Sequence, residues 1–402
     1  MTTIIDFLEL LGPMSTAEFF CRHWERSPMM SHITSERAST LVSVSDIDAL
    51  LAAAPMMGGT TGHPTVSAVR ADGPRTLDAG LRADGSGHIA PADAHAAIDS
   101  GHTLIINGIG RTWAPAAATC RALEHHLQHP VGCNLFLTPA RAQGFVAHAD
   151  AMDTFFVQVA GAKRWKVWQP TFELPFGERL TKPVRAELGD PVIDVELGPG
   201  DVLYLPRGWV HEGIAGQSRS LHLTFGIATV RWLDLVRRYL ELAASHDRRL
   251  REALPLSPDQ GESAEAIANR VDGLIRSVER ACAADALTGV LAETLARRPS
   301  TLERPQPGLP WIPTAPRGID SQTPLARPAG LFPLITRAGD SVTIHFAGGS
   351  LTGPAEAEPA MQFVATRSEF TPAELPGMPA AVQLDFAAAL VEHGMLTAGA
   401  AR

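Results

Sequence analysis

Lysine is almost absent from this chain of 402 residues: Lys163, Lys166 and Lys182 are the three lysines among 34 basic residues. Arginine supplies the remaining positive charge, so a lysine at a suggestive position carries extra weight. Cysteine is nearly as scarce. Cys21, Cys120, Cys133 and Cys282 lie far apart with no C-x-x-C pair, a pattern that points to neither a disulfide scaffold nor a cysteine-type zinc site. Positive charge is also in deficit, since 34 basic against 43 acidic residues give a net charge of −9. A chain that binds nucleic acid by bulk phosphate attraction needs a basic patch instead. No apolar run approaches the roughly 20 residues that a membrane-spanning helix requires. The opening residues carry no basic stretch, and Asp6 and Glu9 interrupt their short apolar run, so no secretory signal is expected. These absences predict a reducing, cytoplasmic setting.

What is present is an ordinary globular composition, 45% hydrophobic and 19% charged. The length exceeds one ordinary core and predicts two or three domains. Residues 1 to about 50 place Ile5, Leu8 and Leu11, then Phe19, Phe20 and Trp24, at helical spacing. Residues 55–90 are punctuated by Gly, Asp and Pro and read as short strands and turns. A buried strand is expected at Leu104–Asn107. A helix is expected from Ala114 to about Gln128, ended near Pro130.

From Val131 to Phe225 the apolar period becomes two, with Gly and Pro turns between short strands, which indicates an all-β barrel or sandwich. Helical spacing returns with Leu233, Val236 and Leu240, and again with Ile267, Val271, Leu274 and Val278, with a break at Pro255–Gly261. Pro299–Pro328 reads as a linker. The last 70 or so residues read as a small α/β module, in which Thr371-Pro-Ala-Glu374 has the form of a capping box. The expected divisions are therefore 1–228, 229–298, 299–328 and 329–402.

Two segments carry the chemistry. In Gly144-Phe-Val-Ala-His148-Ala-Asp150, strand geometry projects His148 and Asp150 to one face. In Pro199-Gly-Asp-Val-Leu-Tyr-Leu-Pro-Arg-Gly-Trp-Val-His211, a tight turn, a buried strand and a reversal at Pro206-Arg-Gly208 return His211 toward the first segment. Two imidazoles and one carboxylate form the set that holds non-haem Fe(II) and leaves positions open for substrate. A structural zinc site would close its shell instead. H-x-D alone is common by chance, so the second segment strengthens the metal reading against a barrel that has lost its metal. Lys163 shares parity with Trp165 and Val167, on their apolar face. An ammonium aimed into a barrel needs an anion, although a lysine at a strand end can also snorkel to water. The row Ser220, His222 and Thr224 alternates with Leu221, Leu223 and Phe225, and faces either a polar pocket or solvent. His125 and His129 stand one helical turn apart, a spacing that fits a metal pair but more simply an exposed helix end. The arginines from Arg231 to Arg251 are interleaved with acids and read as a solvated helix face.

The segments Asn134–Pro139, Gln143–Asp150, Val157–Trp165 and Pro199–His211 closely resemble the JmjC-type ribosomal oxygenases, which are cupin-like Fe(II)/2-oxoglutarate enzymes. Phe19–Pro28 is similar in weaker form to the N-terminal segment of that family. The resemblance implies a double-stranded β-helix (jelly-roll) catalytic domain, a helical segment that forms a homodimer, and a C-terminal winged helix. It implies Fe(II) held by His148, Asp150 and His211, and 2-oxoglutarate as cosubstrate with O2. Lys163 is implied to bind its far carboxylate, with Asn134, His222 and Thr224 nearby. Phe136 stands where the family often has Tyr, and Ala149 is small, so substrate identity does not carry over.

The expected activity is hydroxylation of a protein or peptide side chain, Arg or His, of ribosomal-protein type. Hydroxylation of a small-molecule or peptide natural product is an alternative, N-demethylation would use the same iron chemistry, and a metabolite-sensing DNA-binding regulator is the reading from another class. After Pro310 the chain has five arginines, no lysine and eight acidic residues, which argues against contact with nucleic acid.

Overall fold

Alternation of large apolar and small or polar residues between Val131 and Ile227 produces strands, and partners for them come from as far away as residue 29. In the computed structural model, residues 5–54, 65–83, 87–176, 183, 187–254, 263–281, 318–327, 333–346 and 349–399 are described. Lys182, Cys282, the break at 255–261, the helix end at 282–298 and residues 299–317 of the proline-rich stretch lie outside them. The chain divides into two units, Met1–Thr229 and Val230–Arg402.

The first unit holds twelve named strands among the described residues. They are β1 (Met29–His32), β2 (Val66–Asp72), β3 (Arg75–Asp78), β4 (Thr103–Ile106), β5 (Val131–Thr138) and β6 (His148–Ala149). Then follow β7 (Asp153–Ala160), β8 (Lys163–Trp168), β9 (Ile193–Leu197), β10 (Asp201–Leu205), β11 (Val210–Ala215) and β12 (Ser220–Ile227). An eight-stranded sheet runs β1-β10-β7-β12-β5-β4-β2-β3, and a four-stranded sheet runs β6-β11-β8-β9. All their pairings are antiparallel. This is a double-stranded β-helix of the cupin type.

Register decides what each face of the large sheet does. Leu135, Leu137, Leu221, Leu223, Phe225, Phe155 and Val157 form one row, packed with Phe7, Leu10, Phe19, Leu41 and Leu123 from the helices. Each such side chain, fully buried, stabilises by about 1.5–3 kcal/mol. Phe19 anchors the row, edge-on to Tyr204 at 5.0 Å and stacked on Phe155 at 5.9 Å. The opposite row, with Phe156, Leu203 and Leu205, packs against Trp165, Val167, Leu197 and Trp209. The space between the sheets is therefore lined by the odd-numbered residues of β8 and the even-numbered residues of β12.

The N-terminal segment, helical by its spacing, forms short helices at Phe7–Leu11, Thr16–Arg22, Ser35–Ser39 and Ile47–Ala53, with a strand among them. Met29–His32 instead pairs with β10, Met29 opposite Tyr204. The helix Ala114–Leu127 stops before Pro130, because Gln128 turns left-handed at φ 58° and its N–H closes on the Glu124 carbonyl. His126 and His129 pack on Phe7 and Trp24, the latter stacked at 5.7 Å, while His125 is exposed.

In the second unit, α-helices span Trp232–His246 and Ala264–Ala281. Their arginines are paired with acids, Arg231 with Asp234, Arg238 with Glu241 and Arg270 with Glu252. Leu325–Ala326, inside the stretch that reads as linker, is a strand between Glu369–Phe370 and Thr397–Ala398. A second sheet comprises Leu334–Ala338, Ser341–Phe346 and Gly349–Pro354. Helices at Glu358–Thr366 and Ala380–Glu392 contribute to the core of this module through Ala360, Met361, Val364, Phe386 and Leu390. The capping box at Thr371 closes a single 3-10 turn, Pro372–Glu374, ahead of that last helix.

Candidate metal centre and adjoining pocket

Antiparallel register sets His211 of β11 directly opposite His148 of β6. Both imidazoles are buried, and Asp150 follows β6 with its side chain 28% exposed. The His148 Nε2 lies 3.8 Å from Asp150 Oδ1, and the His211 Nε2 lies 3.6 Å from Asp150 Oδ2. Two donors each about 2.1 Å from a common ion can be no more than about 4.2 Å apart, so both spacings fit ligation.

The other ring nitrogens decide the tautomer. His148 Nδ1 is 2.8 Å from the Val146 carbonyl and His211 Nδ1 is 3.1 Å from the Trp209 carbonyl. Each Nδ1 therefore donates, and each Nε2 presents a lone pair toward Asp150. Burial, reinforced by His148, pushes the His211 pKa down to about 4, which keeps that ring neutral. His148, Asp150 and His211 are the one such group of potential metal ligands among the described residues.

Beside this triad runs a pocket wall rich in donors. Lys163 is 5% exposed, and its ammonium contacts the Thr138 hydroxyl at 3.3 Å and lies 5.2 Å from the centre of the Trp165 ring. It has no carboxylate partner among the described residues. Burial lowers its pKa to about 7. Gly213, opposite Trp165 on β11, makes the space, since a Cβ there would meet Lys163 Cε at 2.8 Å. His222 is buried, stacked on Phe136 at 4.9 Å, with its pKa pushed well below the ordinary value by burial and by Lys163. His222 Nδ1, Thr224 Oγ1 and Trp165 Nε1 are all buried with no hydrogen-bond partner. Buried polar atoms left unpaired are costly, and an acceptor-rich ligand between the sheets would satisfy them.

The even-numbered row of β12 thus faces the interior, where sequence left it open. Asn134 sits opposite Thr224, and its side-chain oxygen accepts from the Gly108 N–H at 2.9 Å. Residues 112–235 match the JmjC domain family. That segment contains β5 to β12 and all three residues of the triad.

Similarity to known proteins extends beyond that segment. The chain is 34% identical over 255 residues to the bifunctional lysine-specific demethylase and histidyl-hydroxylase NO66 of Drosophila persimilis, covering 62% of this chain and 36% of that protein. It is 29% identical over 265 residues to ribosomal oxygenase 1 of Gallus gallus, covering 62% and 42%. The chain thus spans well under half the length of these curated relatives. YcfD, a ribosomal oxygenase from Escherichia coli, superposes with a TM-score of 0.60 at 19% identity, over 96% of this chain and 99% of that one. YcfD has also been solved with cobalt and 2-oxoglutarate, with a TM-score of 0.56 at 17% identity and the same coverage. The fold of the JmjC domain and its flanking segments is shared with that protein.

Thr138, Trp165 and Gly213 were not singled out from sequence. Their signal was parity: Trp165 and Gly213 lie two residues from Lys163 and His211 on the same strand faces, and Thr138 lies on the face of Asn134. His148, Asp150, His211, Lys163, His222 and Thr224 are thus brought to the space between the sheets, whereas His125 and His129 lie on the helix Ala114–Leu127 and the turn after it.

Proposed function

We propose that this protein is an Fe(II)- and 2-oxoglutarate-dependent oxygenase that hydroxylates a side chain of a protein or peptide. The observation that carries this reading is a buried lysine with no carboxylate partner among the described residues, set in a donor-lined wall beside a two-histidine, one-carboxylate triad. The donor set fits the metal, since both Nε2 lone pairs and the Asp150 carboxylate converge. When bound, Fe(II) and 2-oxoglutarate supply activation of O2 for insertion of one oxygen atom into a C–H bond, with succinate and CO2 as coproducts.

The chain's own residues do the rest. His148, Asp150 and His211 would hold the metal. Lys163, helped by Thr138, receives the far carboxylate of 2-oxoglutarate, while Asn134, His222 and Thr224 line its flank. Phe156, Trp165 and Trp209 keep water out, which strengthens each of these electrostatic contacts. The names of the relatives, ribosomal oxygenase and histidyl-hydroxylase, support a ribosomal-protein side chain, Arg or His. The name of the first relative also includes lysine demethylation, which begins with hydroxylation of an N-methyl carbon.

The exposed apolar faces of the two helices in 229–298 support homodimerisation, and the acidic, winged-helix-like module at 329–402 supports protein contacts in preference to nucleic acid. No helix among the described residues is long and apolar enough to cross a membrane, and Fe(II) chemistry suits a reducing cytoplasm. Anaerobic Fe(II) with 2-oxoglutarate is expected to give a weak visible charge-transfer band that His211→Ala abolishes. Absence of the band in the wild-type protein overturns the reading. Mass spectrometry of cellular proteins with and without the enzyme, searching for a gain of one oxygen atom, identifies the substrate.

A further inference from the structure

A second buried cluster of charge lies close to the triad along the chain, and its hydrogen bonds run to residues other than His148, Asp150 and His211. Its centre is Asp153, fully buried at the start of β7, three residues after Asp150. Four donors saturate its carboxylate. Oδ1 accepts from the Tyr204 hydroxyl at 3.0 Å and the Arg207 backbone N–H at 3.4 Å. Oδ2 accepts from Arg207 Nη1 at 2.8 Å and the Thr229 hydroxyl at 2.9 Å. Arg207 is 6% exposed, and the same Nη1 reaches Glu25 at 2.5 Å. Glu25 belongs to the N-terminal segment and is held at φ 56°, with its N–H donated to the Tyr204 hydroxyl at 3.1 Å. A non-glycine residue enters the left-handed region at a cost, which surrounding contacts must offset.

The cluster is tied to the metal centre through the backbone. Arg207 stands four residues before His211, in the turn Pro206–Trp209 that feeds β11. The next residue, Gly208 at φ 91°, donates its N–H to the Asp150 carbonyl at 2.8 Å. A Cβ at Gly208 would strike the Phe172 carbonyl at 2.7 Å and Pro175 at 2.8 Å, so the turn is packed on its outer side as well. The Trp209 carbonyl, in turn, fixes the ring of His211. The Asp153–Arg207 pair therefore clips the chain that carries Asp150 to the chain that carries His211.

We infer that Asp153, Arg207 and Glu25 form the positioning device of the metal centre, setting the spacing between Asp150 and His211 from outside the pocket. This inference rests on the metal reading above. It also gives the N-terminal segment a part in the site, because Glu25 supplies the second carboxylate of the shared arginine. Outer partners of metal ligands tune affinity about 10- to 100-fold, and that is the scale expected here.

The test uses full-length protein and Co(II) added to the metal-free chain, read by titration calorimetry and by the Co(II) visible absorption, whose shape reports ligand geometry. Asp153→Asn is expected to weaken Co(II) binding about 10-fold or more and to alter the absorption. Arg207→Lys should do the same, and Glu25→Gln should give a smaller loss. Leu135→Ala, a core change remote from the turn, is the control: it lowers Tm but leaves Co(II) affinity and absorption as in wild type. If Asp153→Asn fails to fold, Arg207→Lys and Glu25→Gln decide. Variants that bind Co(II) with wild-type affinity and absorption overturn this inference alone. A wild-type protein without Co(II) binding that His211→Ala abolishes overturns the metal reading, and this inference with it.

Discussion

Lys163 is the residue whose environment makes the sharpest demand. Burial pulls its pKa from 10.5 to about 7, and the other titratable groups facing it, His211 and His222, are themselves kept neutral by burial. No carboxylate among the described residues offsets the charge. Between about pH 7 and the ordinary lysine value the unfolded chain binds the proton that the ligand-free folded chain has lost, so the lysine's contribution to stability grows as pH rises across that window. An anion that needs the ammonium is affected in the opposite direction. Affinity for 2-oxoglutarate is expected to fall by up to about tenfold per pH unit above pH 7, and Lys163→Arg, which stays charged, should flatten the profile. Calorimetric titration from pH 6.5 to 9 checks this, and a flat wild-type profile would contradict it. Gly213 makes a companion case. Alanine there drives a methyl into Lys163 and the Trp165 ring, and overpacking of about 1 kcal/mol or more should weaken 2-oxoglutarate roughly fivefold or more. Co(II) binding should stay normal, because His211 keeps its partner and register.

Among the elements, strands with strict alternation were legible and those without it were not. The inward face of β8 followed from Lys163, Trp165 and Val167 sharing parity, and register with β11 places His211 and Gly213 on that same face. For β12 the sequence showed two rows but not which faced inward, because Leu221, Leu223 and Phe225 fit any core. The large sheet has two buried faces, one under helices and one against the smaller sheet, so both rows are buried and hydropathy cannot choose. Met29–His32 was missed for a different reason: four residues are too few for a period, and its partner β10 is remote in sequence. The Asp153–Arg207 pair escaped likewise, since Arg207 alone looks like an ordinary turn residue.

The helices of the second unit expose apolar stripes. Val236 and Leu240 of one helix, and Val271 and Ile275 of the other, are about half exposed, on strongly amphipathic helices. Apolar stripes of this kind normally find a partner. If a second copy covers them, Leu240→Glu combined with Ile275→Glu should convert a dimer to a monomer, read by light scattering after gel filtration. The Co(II) absorption of the first unit should be unchanged. A dimer that survives both charges would place the interface elsewhere.

At the scale of the whole molecule, the division into Met1–Thr229 and Val230–Arg402 makes a prediction about how far ligand binding is felt. A ligand stabilises only what it requires to be folded, by about 2.7 kcal/mol at a concentration 100 times Kd. His148, Lys163 and His211 lie on β6, β8 and β11, Asp150 just after β6, and His222 and Thr224 on β12, all inside the first unit. The module at 318–399 has a separate core built on Val342, Ile344, Met361 and Phe386. Hydrogen exchange followed by mass spectrometry should therefore show metal and 2-oxoglutarate slowing exchange in peptides from 131–138, 153–168 and 201–227. Peptides from 341–346 and 380–392 should exchange at unchanged rates. Peptides from 16–32 discriminate further, because Glu25 and β1 join the N-terminal segment to Arg207 and β10. If the segment supports the metal centre as its contacts imply, those peptides gain protection with metal alone. Protection confined to the barrel strands would mean that the N-terminal segment is packing and nothing more.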